Sequence, residues 1–160
     1  MVGDIVDKDL KNLAVFSFIF IILDQLAKIV VSSKIALEGS IPIVKGFWSF
    51  TNVHNKGAAF SILEGSKLLF ISVGIIAIVL IVLYYNSIED RTEYDVMIHS
   101  MLIGGIIGNM IDRIIHGYVI DFLSFNIFGY NFPVFNLADT FIVLAIILLF
   151  ARIIKEDVWS

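Results

Sequence analysis

The chain has no cysteine. That excludes disulfides, thiol catalysis and cysteine metal sites, and it removes any redox clue to compartment. Charge is scarce as well: Asp, Glu, Lys and Arg together make up 16% of the residues. There is no basic excess, and a formal net charge of −4 argues against nucleic acid as a partner. No internal repeat is visible, and 160 residues leave no room for a second domain. What fills the chain instead is apolar. Hydrophobic residues reach 59% and mean hydropathy is +0.95, too high for a soluble domain of this size.

The apolar residues fall into four runs, Leu13–Val31, Leu68–Tyr85, Val96–Ile115 and Leu137–Ile154. Each is about 18–20 residues, long enough to cross a hydrocarbon core. Asp4, Asp7 and Asp9 spoil a basic leader, so the first run reads as a retained span rather than a cleaved signal. Successive spans alternate in direction, and this gathers the unusual polar residues. Asp24, Gln25 and Lys28 lie late in the first span; Asn109, Asp112 and Arg113 lie late in the third; Asn136 and Asp139 open the fourth. All belong to one leaflet. Charge buried in lipid is costly, so such residues usually line a functional site.

Two long segments, Ser32–Lys67 and Gly117–Phe135, lie on that same side. Their alternation and aromatic content predict strands, giving a small sheet from Ile41–Leu63 and Tyr118–Pro133 over a helical bundle. The opposite side has only the termini and the link Asn86–Asp95. Lys8, Lys11, Arg91, Arg152 and Lys155 flank that side, against Lys34, Lys45, Lys56 and Lys67 on the other. The difference places both termini in the cytoplasm.

In the third span Asn109, Asp112, Arg113 and His116 follow at i, i+3, i+4 and i+7, one helical face. An Asp112–Arg113 network at the helix end would account for part of this. Gly104 and Gly108 let a neighbouring helix approach closely. Asp121, in a predicted strand, could by itself be a solvated loop acid. Asp139 could be a helix-capping acid behind Asn136. As a pair they suggest more. Two carboxylates held close share a proton. One can then act as general base on water while the other donates a hydrogen bond to a scissile carbonyl. That is aspartic-protease chemistry, which requires neither metal nor thiol. Asp24 and Lys28, four apart with the acid first, predict an ion pair that tethers other elements. His54, His99 and His116 are too dispersed for a metal site.

Five stretches carry a resemblance. They are Asp24-Gln25-Leu26-Ala27-Lys28, Asn55-Lys56-Gly57-Ala58-Ala59-Phe60, Gly108-Asn109-Met110-Ile111-Asp112-Arg113, Gly117-Tyr118-Val119-Ile120-Asp121-Phe122 and Phe135-Asn136-Leu137-Ala138-Asp139. In this order they resemble the lipoprotein signal peptidases, the type II signal peptidase family. The resemblance implies an aspartic endopeptidase of the bacterial cytoplasmic membrane, cleaving before a diacylglyceryl-modified cysteine near the outer leaflet. It implies Asp121 and Asp139 as the catalytic pair. Asn55, Gly57, Asn109, Arg113 and Asn136 would position substrate and pair, while Asp24, Lys28 and Asp112 would be structural or near the substrate. It also implies prolipoprotein substrates, a lipid environment, inhibition by globomycin, and no cofactor or metal. A small proton-coupled transporter is the competing expectation, because intramembrane acids also mark proton relays. Transporters of that kind often show internal repeats, which this chain lacks. A non-catalytic scaffold would leave Asp121 and Asp139 without a joint purpose.

Overall fold

The computed structural model describes residues 2–57, 66–89 and 91–159. Four helices carry the fold: α1 (Val2–Lys34), α2 (Lys67–Ser87), α3 (Glu93–Ile115) and α4 (Leu137–Trp159). Among the described residues these are the helices long and apolar enough to cross a membrane. The predicted spans are all present. α1 starts eleven residues before the apolar run, because backbone hydrogen bonding carries the helix through its polar N-terminal part. α3 starts at Glu93 rather than Val96. Thr92 and Asp95 form a capping box there, the Asp95 carboxylate accepting from Thr92 N at 2.9 Å. Asp95 also pairs with Arg152, joining the start of α3 to the end of α4.

α3 is the central helix, with 67% of its most apolar window buried, against 11% for α2 and for α4. Small residues let its neighbours in. A Cβ on Gly104 would lie 2.6 Å from Phe20 Cβ and 2.9 Å from Ser17 O of α1. A Cβ on Gly105 would lie 2.6 Å from Ala138 O of α4. On the third side it is Gly74 of α2 that gives way, to Met110 of α3. The close approach predicted for Gly104 and Gly108 is therefore made by α1, and Gly105 adds α4. Outward faces stay apolar, with Phe18 61%, Leu83 61% and Phe150 62% exposed. That pattern suits lipid as the solvent.

The sheet has four antiparallel strands in chain order: β1 (Ser40–Val44), β2 (Trp48–Asn55), β3 (Val119–Ile127) and β4 (Tyr130–Asn131). The part of the expected sheet over 58–63 lies outside the described residues, as do Ala58, Ala59 and Phe60. β2 and β3 form its core. Trp48 pairs with Phe125 and their rings stack, while Val53 pairs with Asp121 after a register shift from Phe50. The shift re-aims the end of β2, as bulges do. Phe128 and Gly129, both at positive φ, turn β3 into β4. Val31 of α1 and Ile35 just past its end pack on Phe122, and this contact fastens the sheet to the bundle. The chain then bridges Leu123 to Phe135 and enters α4.

Candidate active site

α4 begins with a reciprocal cap. Asn136 Oδ1 accepts from Asp139 N at 3.0 Å, and Asp139 Oδ2 accepts from Asn136 N at 3.2 Å. Asp139 is thus a capping acid, as one of its two readings held. The cap occupies one carboxylate oxygen. The other, Oδ1, accepts from Asn109 Nδ2 of α3 at 2.7 Å. The Asn136 amide turns the opposite way and donates to Asp121 Oδ1 at 2.7 Å and to Asn109 Oδ1 at 3.1 Å. Asp121, on β3, takes its remaining bond from Asn55 Nδ2 of β2 at 2.8 Å. Asn55 Oδ1 in turn accepts from Gly57 N at 3.0 Å, which fixes the turn after β2. Three asparagines therefore bracket two carboxylates drawn from a strand and a helix start. Asp121 is only 2% exposed, which excludes the solvated loop acid. Burial pushes its carboxyl up to about 7, with the neighbouring Asp139 carboxylate adding to the rise.

A second buried cluster lies behind the first. Lys28 Nζ meets Asp24 at 2.7 Å and Asp112 at 3.0 Å, and donates to Asn109 Oδ1 at 3.1 Å. Asp24 Oδ1 accepts from Ala138 N, and Asp112 Oδ2 accepts from Ile120 N, each at 3.0 Å. Gln25 Nε2 adds a bond to Asp112 Oδ1 at 3.0 Å. The predicted Asp24–Lys28 pair thus ties α1 to α3, β3 and α4. Removing one member would leave an uncompensated charge in a dry interior.

The alternative of an Asp112–Arg113 network at the helix end finds no ion pair between the two among the described residues. Adjacent helical residues point about 100° apart, and here they meet different neighbours. Asp112 turns to α1. Arg113 turns toward α2, donating to Asn109 O at 3.2 Å and Gly57 O at 3.4 Å, with its guanidinium carbon 4.7 Å from the Phe70 ring centre. His116 leaves the shared face too: it is exposed past the end of α3 and stacks on Tyr118, which stacks on His54 at 3.8 Å. Burial lowers the His54 imidazole, with His116 and Lys56 adding to the effect.

Asp121 and Asp139 both line one cavity of about 500 Å³. Asn55, Gly57, Asn109 and Arg113 share its wall with Phe70 of α2 and the segment from Tyr130 to Phe135. Phe70 was not singled out from sequence, because a phenylalanine in an apolar span carries no signal of its own. Such a cavity, apolar in the main with convergent polar groups and a perturbed acid, has the form of an active site.

Four apolar helices long enough to cross a membrane, capped by a sheet with a carboxylate pair at the seam, define a polytopic membrane protein with a candidate site between bundle and sheet. The comparisons with known proteins narrow this class. The family described as Signal peptidase (SPase) II matches residues 16–155. The lipoprotein signal peptidase of Halothermothrix orenii is 40% identical over 139 residues, covering 87% of this chain and 92% of that protein. That of Staphylococcus aureus (strain JH9) is 37% identical over 147 residues, covering 90% and 86%. A bacterial membrane enzyme structure determined by the in meso method at 2.3 Å superposes with a TM-score of 0.83 at 30% identity, covering 91% of this chain and 88% of the other. A second, at 1.9 Å, gives 0.80 at 31%, covering 89% and 92%. The chain belongs to the signal peptidase II family.

Proposed function

We propose that this chain is an aspartic endopeptidase of the bacterial cytoplasmic membrane that removes signal peptides from diacylglyceryl-modified prolipoproteins. One observation carries the reading. Asp121 and Asp139 line the same cavity, and each is held by neutral amides rather than by a cation. Amides orient a carboxylate without fixing its charge. Among the described residues no Lys or Arg stands in ion-pair contact with either acid, so a shared proton stays available.

The elevated position of Asp121 supports that residue as the proton carrier near neutral pH. Its hydroxyl donates to the scissile carbonyl oxygen. Asp139, ionised, takes a proton from the attacking water as the oxygen adds to the carbonyl carbon. Collapse of the tetrahedral intermediate breaks the C–N bond, and the proton held by Asp139 passes to the leaving nitrogen. Asn55, Asn109 and Asn136 hold the two acids in register. Arg113 faces the same cavity and supplies donors to substrate carbonyls, with Gly57 completing the wall.

Both termini lie in the cytoplasm and the site sits near the outer leaflet in this reading. A diacylglyceryl group anchored in that leaflet brings the adjacent peptide bond to the depth of the cavity. The decisive experiment incubates a lipidated prolipoprotein with the parent and with Asp121→Asn and Asp139→Asn. Cleavage by the parent alone, sensitive to globomycin, is the expected result. Retained cleavage by either variant would falsify the aspartic assignment. The lipid requirement is tested separately with the same prolipoprotein lacking its diacylglyceryl group, which should remain uncut.

A further inference from the structure

The cavity contains one strong cation and two acids, yet the cation does not sit on the acids. Arg113 is half-buried on α3, one turn below Asn109. Its two terminal nitrogens donate to backbone carbonyls, Asn109 O and Gly57 O. Its flat face lies over the Phe70 ring, 4.7 Å from the centre. A guanidinium is a five-donor fork that fits a carboxylate bidentately, and such pairs are among the strongest polar contacts in proteins. Asp139 and Asp121 line the same space. Left without restraint, Arg113 would be drawn onto one of them. That acid would then be locked in its ionised form, and the shared proton would be lost.

We propose that Phe70 is a positioning residue for the aspartate pair: its ring holds the Arg113 guanidinium off the two carboxylates, so the cavity keeps a cation for substrate carbonyls without neutralising the pair. The attraction between a cation and an aromatic face is directional and grows where water is scarce. Two carbonyl acceptors complete the cradle. Phe70 itself is placed by the opening of α2, whose Gly74 lets the helix pack closely on Met110 of α3 one turn further on. The inference rests on the aspartic reading above.

The charges that bear on the pair are few. From α3 come Arg113 and Asp112; from α1, Lys28 and Asp24; from β4, Tyr130 lines the cavity. Lys28 is paired with Asp24 and Asp112, and all three are held by further hydrogen bonds, so they do not follow a change at Phe70. Arg113 is the charge that a change at Phe70 releases. A cation brought onto a carboxylate lowers its pKa, commonly by about 1–3 units. Loss of the shared proton then occurs at lower pH.

The test is the pH profile of kcat/KM on a lipidated prolipoprotein, with the full chain in lipid or detergent. Phe70→Leu keeps an apolar side chain but removes the π face. Its alkaline limb should move down by about one pH unit, which makes the loss at a pH above both limbs about tenfold. Phe70→Tyr restores the face and should overlay the parent. In an Arg113→Gln background, Phe70→Leu should produce no further shift, because the cation it releases is gone. The proposal is overturned if Phe70→Leu leaves the limb where the parent has it, or if it shifts the limb equally with and without Arg113. Phe70→Met serves the same purpose if the leucine variant does not insert. Asp121→Asn and Asp139→Asn run in parallel. If either of those is active the aspartic reading itself fails, whereas inactive Asn variants with an unmoved Phe70→Leu profile remove only this inference.

Discussion

Two pairs of acids sit back to back across Asn109, all buried except Asp139, which is half-buried. Asp24 and Asp112 face Lys28, at 2.7 and 3.0 Å, and accept backbone amides besides. Asp121 and Asp139 instead accept from asparagine amides and from the cap of α4. The residue type is the same, and Asp24, Asp112 and Asp121 are each 2% exposed or less. The neighbours differ. Lys28 bridges the two acids of the first pair, which makes it a clamp between helices. Neutral amides hold the second pair without a counter-ion, the condition that the proposed proton sharing requires. Asn109 touches both, accepting from Lys28 on one side and donating to Asp139 on the other. It transmits the rigidity of the clamp to the acid that must be aimed.

The most forceful way to break this contrast is to remove ionisation from the second pair. Asp139→Asn should lower kcat/KM by about 10²–10⁴-fold or more, the range of a general acid or base. The helix start should survive, since an asparagine oxygen can still accept from Asn136 N. Thermal unfolding in detergent should stay close to the parent, and a large fall in the midpoint would mean that the acid is structural.

Next comes the first pair. Lys28→Met leaves Asp24 and Asp112 buried without a cation and should cost about 3–5 kcal/mol of stability. Adding Asp112→Asn to that variant removes one of the two stranded charges and should recover part of the loss, since residues in one network do not act additively. A double variant no more stable than Lys28→Met would show that the two residues are not coupled through charge. A smaller change sharpens the same point. A Cβ on Gly108 would lie 2.6 Å from Asp24 Oδ2. Gly108→Ala should therefore cost about 1–3 kcal/mol through overpacking, with no shift in the pH profile, because the second pair is not touched. Thermal unfolding and the kcat/KM profile read the two parts separately.

Ionisation of Asp121 also makes stability depend on pH. The Asp121 carboxyl is raised from 3.8 to about 7. Below the lower value both folded and unfolded chains hold the proton, and its contribution to stability is complete. Between the two the unfolded chain releases the proton and the folded chain keeps it, so stability falls as pH rises, and the fall ends near the higher value. Asp121→Asn should flatten that part of the curve relative to the parent. Parallel curves for parent and variant from pH 4 to 7 would contradict it.

Several of these features could be read before any coordinates. Run length identified the four spans, because hydrocarbon thickness sets their size. The i, i+4 spacing of Asp24 and Lys28 and the i, i+3 spacing of Asn136 and Asp139 are local geometry, and both contacts formed. The two strand-rich segments paired as antiparallel neighbours, although the part over 58–63 lies outside the described residues. The face shared by Asn109, Asp112, Arg113 and His116 was only half informative. Periodicity told that these residues are near one another on α3. It did not tell that α1 takes Asp112, that α2 takes Arg113, or that His116 leaves the bundle altogether.

By itself the sequence determined spans, the cap of α4 and the gathering of acids at one end of the bundle, because each depends on composition or on separations of a few residues. The tertiary structure alone decided which acids are paired with a cation and which with amides. Lys28 reaches Asn109 across 81 positions, and Asn55 reaches Asp121 across 66. Contacts at such separations are set by how closely helices pack at Gly104, Gly105 and Gly108 and by the register shift within β2. Neither leaves a periodic trace in the chain, yet together they place each carboxylate beside a charge or beside a neutral amide.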